Sequence, residues 1–557
     1  MGPHPKDPTS DQRAAMSSLS TSASAALPTS AARLGGTARL IAAYLALVTL
    51  ALSPVFWASV PPLVDYPNHL ARMWILAQNG ALPELASNYS VDWRVLPDLA
   101  MDLVVPPLAQ ILPLEIAGRI FIALTLLSLV AGTVALHRVL YGSVGLWPLA
   151  ALLFLYNAAF FWGFLNCLFG TGIFLLAFSG WIASRDWKPA PRIILFGAVA
   201  TMLFFLHLFA FCLYGLVVAS YECSQPLAAR ERSGRGFLLL GAASLQFIPG
   251  LALWVTSLAK AGPRYMEYGN LGAKVYALQA PFTFGPQAGA LDKVCLIFCF
   301  GVLALAIVSR ALKLAPGMRL TLAAMIFAAA AMPTWLSGSW LADIRLPVAL
   351  PFVLIASSTL DTSRFRAARW FAVAAIALLT LRVWAVSEIW RDTDARFAEF
   401  RTASRVIAPG ARLLVVDDTP KGERAVDGVP SFLTERWDET FSHMPALAVI
   451  DRSAFIPYLF TGWTSVAASA RNAGLFQSQA APLSSTMLLE AASAEPGDPK
   501  YAERDFLGEP PYWGDWPRHF DFVLWIDFRS TPAPDLGRLE PVAEGSFFRI
   551  YRVRRPS

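Results

Sequence analysis

The stretch 193–221, reading IILFGAVATMLFFLHLFAFCLYGLVVASY, decides how the chain is threaded. It exceeds the roughly 20 residues that cross a hydrocarbon core of about 30 Å. Basic clusters flank it on both sides, with Arg185, Lys188 and Arg192 before it and Arg230, Arg232 and Arg235 after it. Cytoplasmic loops collect Lys and Arg, so a single crossing would leave one cluster on the wrong side. Two short helices turning near Leu206-His207-Leu208 keep both inside. Working outward, further apolar runs lie at 40–60, 119–136, 146–162, 164–183, 236–259, 291–309, 320–336, 345–360 and 367–387. Arg138, Arg310, Lys313, Arg319, Arg364, Arg366 and Arg369 fall between them. About 11 transmembrane helices are therefore predicted. An odd count places the N-terminus in the cytoplasm and everything after residue 388 outside.

Composition agrees. With 56% hydrophobic and 15% charged residues over 557 positions, and a mean hydropathy of +0.50, the chain carries too much apolar surface for a soluble protein. The fold class expected is an α-helical polytopic membrane protein. The pI near 9.1 comes from the loop clusters, so no nucleic-acid partner is expected. Cys167, Cys212, Cys295 and Cys299 lie within apolar runs and Cys223 beside a basic loop, which gives no disulfide framework outside the membrane. Residues 1–37, rich in Ser, Ala and Thr, read as a disordered cytoplasmic tail. Residues 38–388 read as the transmembrane domain, and 389–557 as a small extracytoplasmic α/β domain with strands at 412–418, 446–450, 521–526 and 546–551. That domain has no phosphate loop, zinc spacing or nucleophile elbow.

The polar residues of interest share the predicted outer face. After the first span comes Pro61-Pro62-Leu63-Val64-Asp65-Tyr66-Pro67-Asn68-His69-Leu70-Ala71-Arg72. Asp65 and His69 are four apart and Arg72 follows three later, so a helix starting near Pro67 puts them on one side. Leu70, Met73, Trp74 and Ala77 continue its apolar stripe. Leu99, Leu103 and Leu108 mark a second amphipathic helix carrying Asp98 and Asp102 one turn apart, and both helices should lie in the membrane interface. A carboxylate in a half-wet cleft can act as general base, with cations steadying a leaving phosphate. The plainer alternative is that Asp65 caps the helix while His69 and Arg72 meet headgroups.

A first span, an acid early in a long outer loop with juxtamembrane helices, many further spans and an outer C-terminal domain resemble the GT-C superfamily of membrane glycosyltransferases. That resemblance implies a polyprenyl-phosphate-linked sugar donor, a bilayer location in the inner membrane, and an acceptor glycan, lipid or protein of unknown identity. It makes Asp65 the catalytic residue. Many members carry two adjacent acids where this chain has Asp65 and Tyr66, so a divalent metal is left open, with Asp98 or Asp102 available as a second carboxylate; no cofactor is required by the resemblance. It also places Arg264 and Arg345 where donor phosphate is expected, with His69, Arg72, Asp98, Asp102 and His207 as further substrate-binding candidates. Arg345 pairing with Asp343 or snorkelling at a helix end, and His207 as a turn residue, are the competing readings. Trp162, Trp254, Trp335 and Trp340 fit an interfacial belt or sugar stacking. His443, Asp515 and Trp516 stay undecided. Two other functions share this scaffold: a flippase or transporter of a lipid-linked sugar, which would need polar groups through the depth of the bundle, and a non-catalytic envelope assembly or sensor protein.

Overall fold

The computed structural model describes residues 30–229, 240–258, 265–285, 289–337, 339–365, 367–418, 438–461, 464–477, 482–493, 511–528 and 537–555. The expected tail falls largely on residues 1–29, outside these; from Ser30 onward the chain is already helical, in the Ser30–Leu52 helix. Residues 1–46 and 47–557 form two separate units. The second unit holds all the elements beyond that helix.

Among the described residues, eight helices are long and apolar enough to cross a membrane, against the 11 expected. This is a multi-pass membrane protein with a C-terminal sheet. The decisive hairpin is present: helices Pro189–Leu206 and Leu208–Ala229 meet at His207, whose backbone is extended (φ −169°, ψ 128°). The other three predicted spans, 146–162, 320–336 and 345–360, are broken or shortened below membrane-crossing length by local chemistry, and helix length alone sets neither the number of crossings nor the side on which residues after 388 lie. Pro148, Asn157 and Gly163 divide 146–162 into a 3₁₀ turn, Trp147–Phe154, and a short helix, Ala158–Trp162, capped by the Asn157 side chain on Phe160 N–H. The run 320–336 ends early as Met318–Ala331. The run 345–360 stops at Ala356, and Ser358–Leu360 then pairs antiparallel with Leu312–Leu314.

Helices Leu114–Tyr141 and Leu165–Ala183 pack against each other along much of their length. A Cβ on Gly172 would collide with Ser128, so glycine lets the two backbones approach. The last of the eight membrane-length helices, Ala368–Ala403, runs without a break through the expected boundary at 388. Its polar end is held by Arg401, which grips the Asp451 carboxylate with two hydrogen bonds of 2.7 and 2.6 Å, and by Glu399, which accepts from the Ser546 hydroxyl at 2.6 Å.

The C-terminal sheet has the order Leu413–Asp417, Phe522–Ile526, Phe548–Val553, Leu539–Glu544; the first pair is parallel and the others antiparallel. Leu539–Glu544 escaped the sequence pattern. The predicted strand 446–450 is instead helical, within Met444–Ala446 and Leu447–Arg452. A short apolar run rich in Ala and Leu, with Pro445 at its start, fits either state, and here packing against the Tyr66–Gln78 helix decides. Trp516 is fully buried in the core of this sheet beside Leu488 and Tyr512, and Asp515 pairs with Arg518 at the surface at 3.3 Å.

The helices Tyr66–Gln78 and Ala100–Leu108 form as predicted. The first differs from a helix with one face open to its surroundings. Tyr66, Asn68, Leu70, Ala71, Arg72, Met73, Ile75 and Leu76 are all buried, because the C-terminal segments 444–446 and 447–452 cover it. Strand Tyr89–Val91 pairs with Val466–Ala468, and Asn88 and Asn472 bond side chain to side chain at 2.9 Å.

Candidate functional site

Asp65 owes its position to a docked loop. Asp394 accepts from Ser59 N–H at 3.0 Å and Val60 N–H at 3.1 Å, while Val64 and Asp65 N–H donate to the carbonyls of Phe161 and Trp162 at 3.0 and 3.2 Å. Gly163 makes this approach workable. Its φ is +87°, and a Cβ there would stand 3.0 Å from Asp65 Cβ.

The capping alternative fails on geometry. Asp65 has helical angles (φ −81°, ψ −11°) and its side chain makes no cap hydrogen bond; a true N-cap is extended and accepts from N2 or N3. The freed carboxylate keeps 17% of its side-chain surface accessible and lies 3.5 Å from His443 Nε2. Burial pushes the Asp65 carboxyl up to about 8, with the Arg345 guanidinium pulling the other way. A carboxyl in that range exchanges protons near neutrality.

Arg345 opens the Arg345–Ala356 helix. Its Nη2 donates to Ser339 Oγ at 2.5 Å, its guanidinium lies over the Phe164 ring at 5.2 Å, and its buried Nε has no hydrogen-bond partner. The suggested pairing with Asp343 does not occur. Asp343 accepts from Thr334 Oγ1 at 2.6 Å and faces Lys274 Nζ at 3.5 Å. Beside Arg345, Trp340 meets Trp162 edge-on at 5.0 Å and Trp335 at 6.4 Å.

Arg72 and Asp102 form a buried pair, Nη2 to Oδ1 at 2.5 Å, with 4% and 0% of the side chains exposed. Arg72 Nη1 also lies 3.2 Å from His69 Nδ1. Burial first, then the charge of Arg72, holds the His69 imidazole well below its usual range, so it is neutral, with Nδ1 as acceptor from Arg72. Arg72 is thus turned inward onto Asp102 and His69. Asp98 and Asp102 diverge, because Asp98 precedes its helix at φ +67° and accepts from Leu208 N–H at 2.9 Å. His207 Nδ1 accepts from Phe209 N–H at 3.1 Å, 3.6 Å from Asp98. Burial lowers it to about 4. His207 and Asp98 thus lock the loop at 98 to the hairpin tip, and the Arg345 charge reaches His207 as well as Asp65. Arg264 lies outside the described residues.

Asp65 therefore gathers Arg345 and His443 about it, with His69 on the next turn of the helix. Asp98 and Asp102 face other partners. Among the described residues no three His, Cys, Asp or Glu side chains are grouped to hold a metal ion, so the donor set for a divalent ion beside Asp65 is not assembled from these residues. Sequence reasoning missed Asn68, Gly163 and Phe164 and left His443 undecided. Of these, only Gly163, ending an aromatic run, carried a local signal.

No protein-family model matches the chain, and no curated protein matches it. Among solved structures it is similar to ArnT from Cupriavidus metallidurans, crystallised bound to undecaprenyl phosphate, at 12% identity, over 91% of this chain and 97% of that one, with a TM-score of 0.44.

Proposed function

We propose that the chain is a membrane glycosyltransferase of the GT-C type. It moves a sugar from a polyprenyl-phosphate donor to an acceptor hydroxyl, with Asp65 as base and the site on the outer face of the inner membrane. One observation carries this reading: an uncapped carboxyl raised to about 8 stands in the field of an arginine whose buried Nε has no partner. A guanidinium with an unused N–H suits an oxyanion. In the reaction, the acceptor O–H gives its proton to Asp65 as its oxygen bonds to the anomeric carbon. The bond from that carbon to the phosphate oxygen breaks, and polyprenyl phosphate leaves with the electron pair, its charge held by Arg345. Trp340, 42% exposed, offers a ring face for the sugar.

The test is release of polyprenyl phosphate by purified protein from a panel of polyprenyl-phosphate sugars and acceptors. A base must be deprotonated to work, so the rate should rise with pH through about 8, the Asp65 value. Donor binding without turnover across a broad panel would favour a flippase or sensor. Reporter fusions after residues 235 and 400 should report opposite sides of the membrane; the same side for both would remove the outer face the reading needs.

A further inference from the structure

Asn68 is fully buried on the Tyr66–Gln78 helix, and two backbone groups of the C-terminal region orient its amide. Phe460 N–H donates to Asn68 Oδ1 at 2.8 Å, and Asn68 Nδ2 donates to the Tyr458 carbonyl at 3.2 Å. A backbone N–H can only face the amide oxygen and a carbonyl only the amide nitrogen, so the orientation follows from the partners. Asn68 Nδ2 also lies 3.1 Å from His443 Nδ1. His443 Nδ1 is then an acceptor, and the imidazole proton resides on Nε2, the atom 3.5 Å from Asp65 Oδ1. Phe460 holds the ring edge-on at 4.9 Å.

We infer that His443 is the positioning residue for Asp65: its Nε2–H, fixed as the donor by Asn68, aims at the carboxylate and steadies its charged form. The inference rests on Asp65 being the base. Burial lowers His443 to about 4, so the ring stays a neutral donor at physiological pH. The 3.5 Å separation is long for a hydrogen bond, as catalytic contacts often are before substrate closes the site. Among the described residues, the charged and titratable groups around the pair are Arg345, whose charge reaches Asp65, His69 with Arg72 behind it, and Tyr458, whose ring lies 6.0 Å from that of His443.

The test reads the protonation of Asp65 without any substrate. Dicyclohexylcarbodiimide reacts with protonated carboxyls, so labelling of Asp65, followed by peptide mass spectrometry across pH, has its midpoint at the Asp65 value, near 8 in the wild type. His443→Phe keeps a ring but removes the donor, and the midpoint should rise by about half a unit or more. The sign separates positioning from packing. A merely loosened site admits water, which favours the carboxylate and lowers the midpoint. His443→Gln restores an N–H donor and should return the midpoint towards wild type. If His443→Phe does not fold, His443→Met removes the donor with a flexible apolar chain and carries the same expectation. A midpoint unchanged or lower in the apolar variant, or identical in the apolar and Gln variants, overturns the inference. Full transfer activity in Asp65→Asn would instead overturn the base reading, and the labelling result stands apart from it.

Discussion

Asp65, half-buried, and Asp102, fully buried, are acids beside the same helix, and they differ in their partners. Burial raises both carboxyls. Arg72 touches Asp102 directly at 2.5 Å, whereas Arg345 reaches Asp65 only through its charge and the nearest ion-pair atom among the described residues is His443 Nε2 at 3.5 Å. Asp292 and Arg382 repeat the first arrangement: Arg382 Nη1 donates to Asp292 Oδ1 at 2.9 Å and to the Phe282 carbonyl at 2.7 Å. A carboxylate clasped by a guanidinium is committed to holding elements together. One left half-satisfied within reach of solvent is available to take a proton.

The sharpest way to break that contrast is Arg72→Met. It leaves Asp102 buried without its cation, which should cost about 3–5 kcal/mol of stability, measurable as a large drop in thermal unfolding temperature. A negligible drop would mean that Asp102 is no more committed than Asp65. Asp65→Asn should do the reverse, with transfer falling by roughly 100-fold while the unfolding temperature holds or rises. Since Asn caps a helix as well as Asp, retained activity would count against the base. Next comes Arg345→Gln, expected to weaken binding of a polyprenyl-phosphate sugar by about tenfold, with Arg345→Lys between it and wild type because Lys keeps charge without the fork. Indifference of both variants in the binding isotherm would detach Arg345 from phosphate. The smallest effect belongs to Gly163→Ala. A side chain at φ +87° against Asp65 should cost about 1–2 kcal/mol and slow transfer severalfold by displacing the carboxylate; wild-type kinetics would show that the docked loop tolerates movement.

Helices were legible where the signal was local. Apolar length and basic flanks found the hairpin at His207, and helical spacing after Pro67 found Tyr66–Gln78. Run length predicted one continuous helix where the chain breaks, because hydropathy does not weigh the Asn157 cap or the left-handed Gly163 that bound the short helix in 146–162. The surroundings of Tyr66–Gln78 were invisible for another reason. An amphipathic stripe shows that one face is covered but is silent on whether lipid or a distant part of the chain covers the other.

By itself, the sequence determined a multi-span helical protein with an acid just past its first span, since these depend on bilayer thickness, charge and helical period, all written within a few turns of chain. The tertiary structure alone decided which acids are spent in pairs and which is free. Asp65 lies 378 residues from His443 and 280 from Arg345 in the numbering of the chain, and only folding brings the C-terminal segment onto the Tyr66–Gln78 helix. Desolvation and hydrogen-bond partnership, which tune that carboxyl, are properties of the assembled surroundings, and no local pattern of residues encodes them.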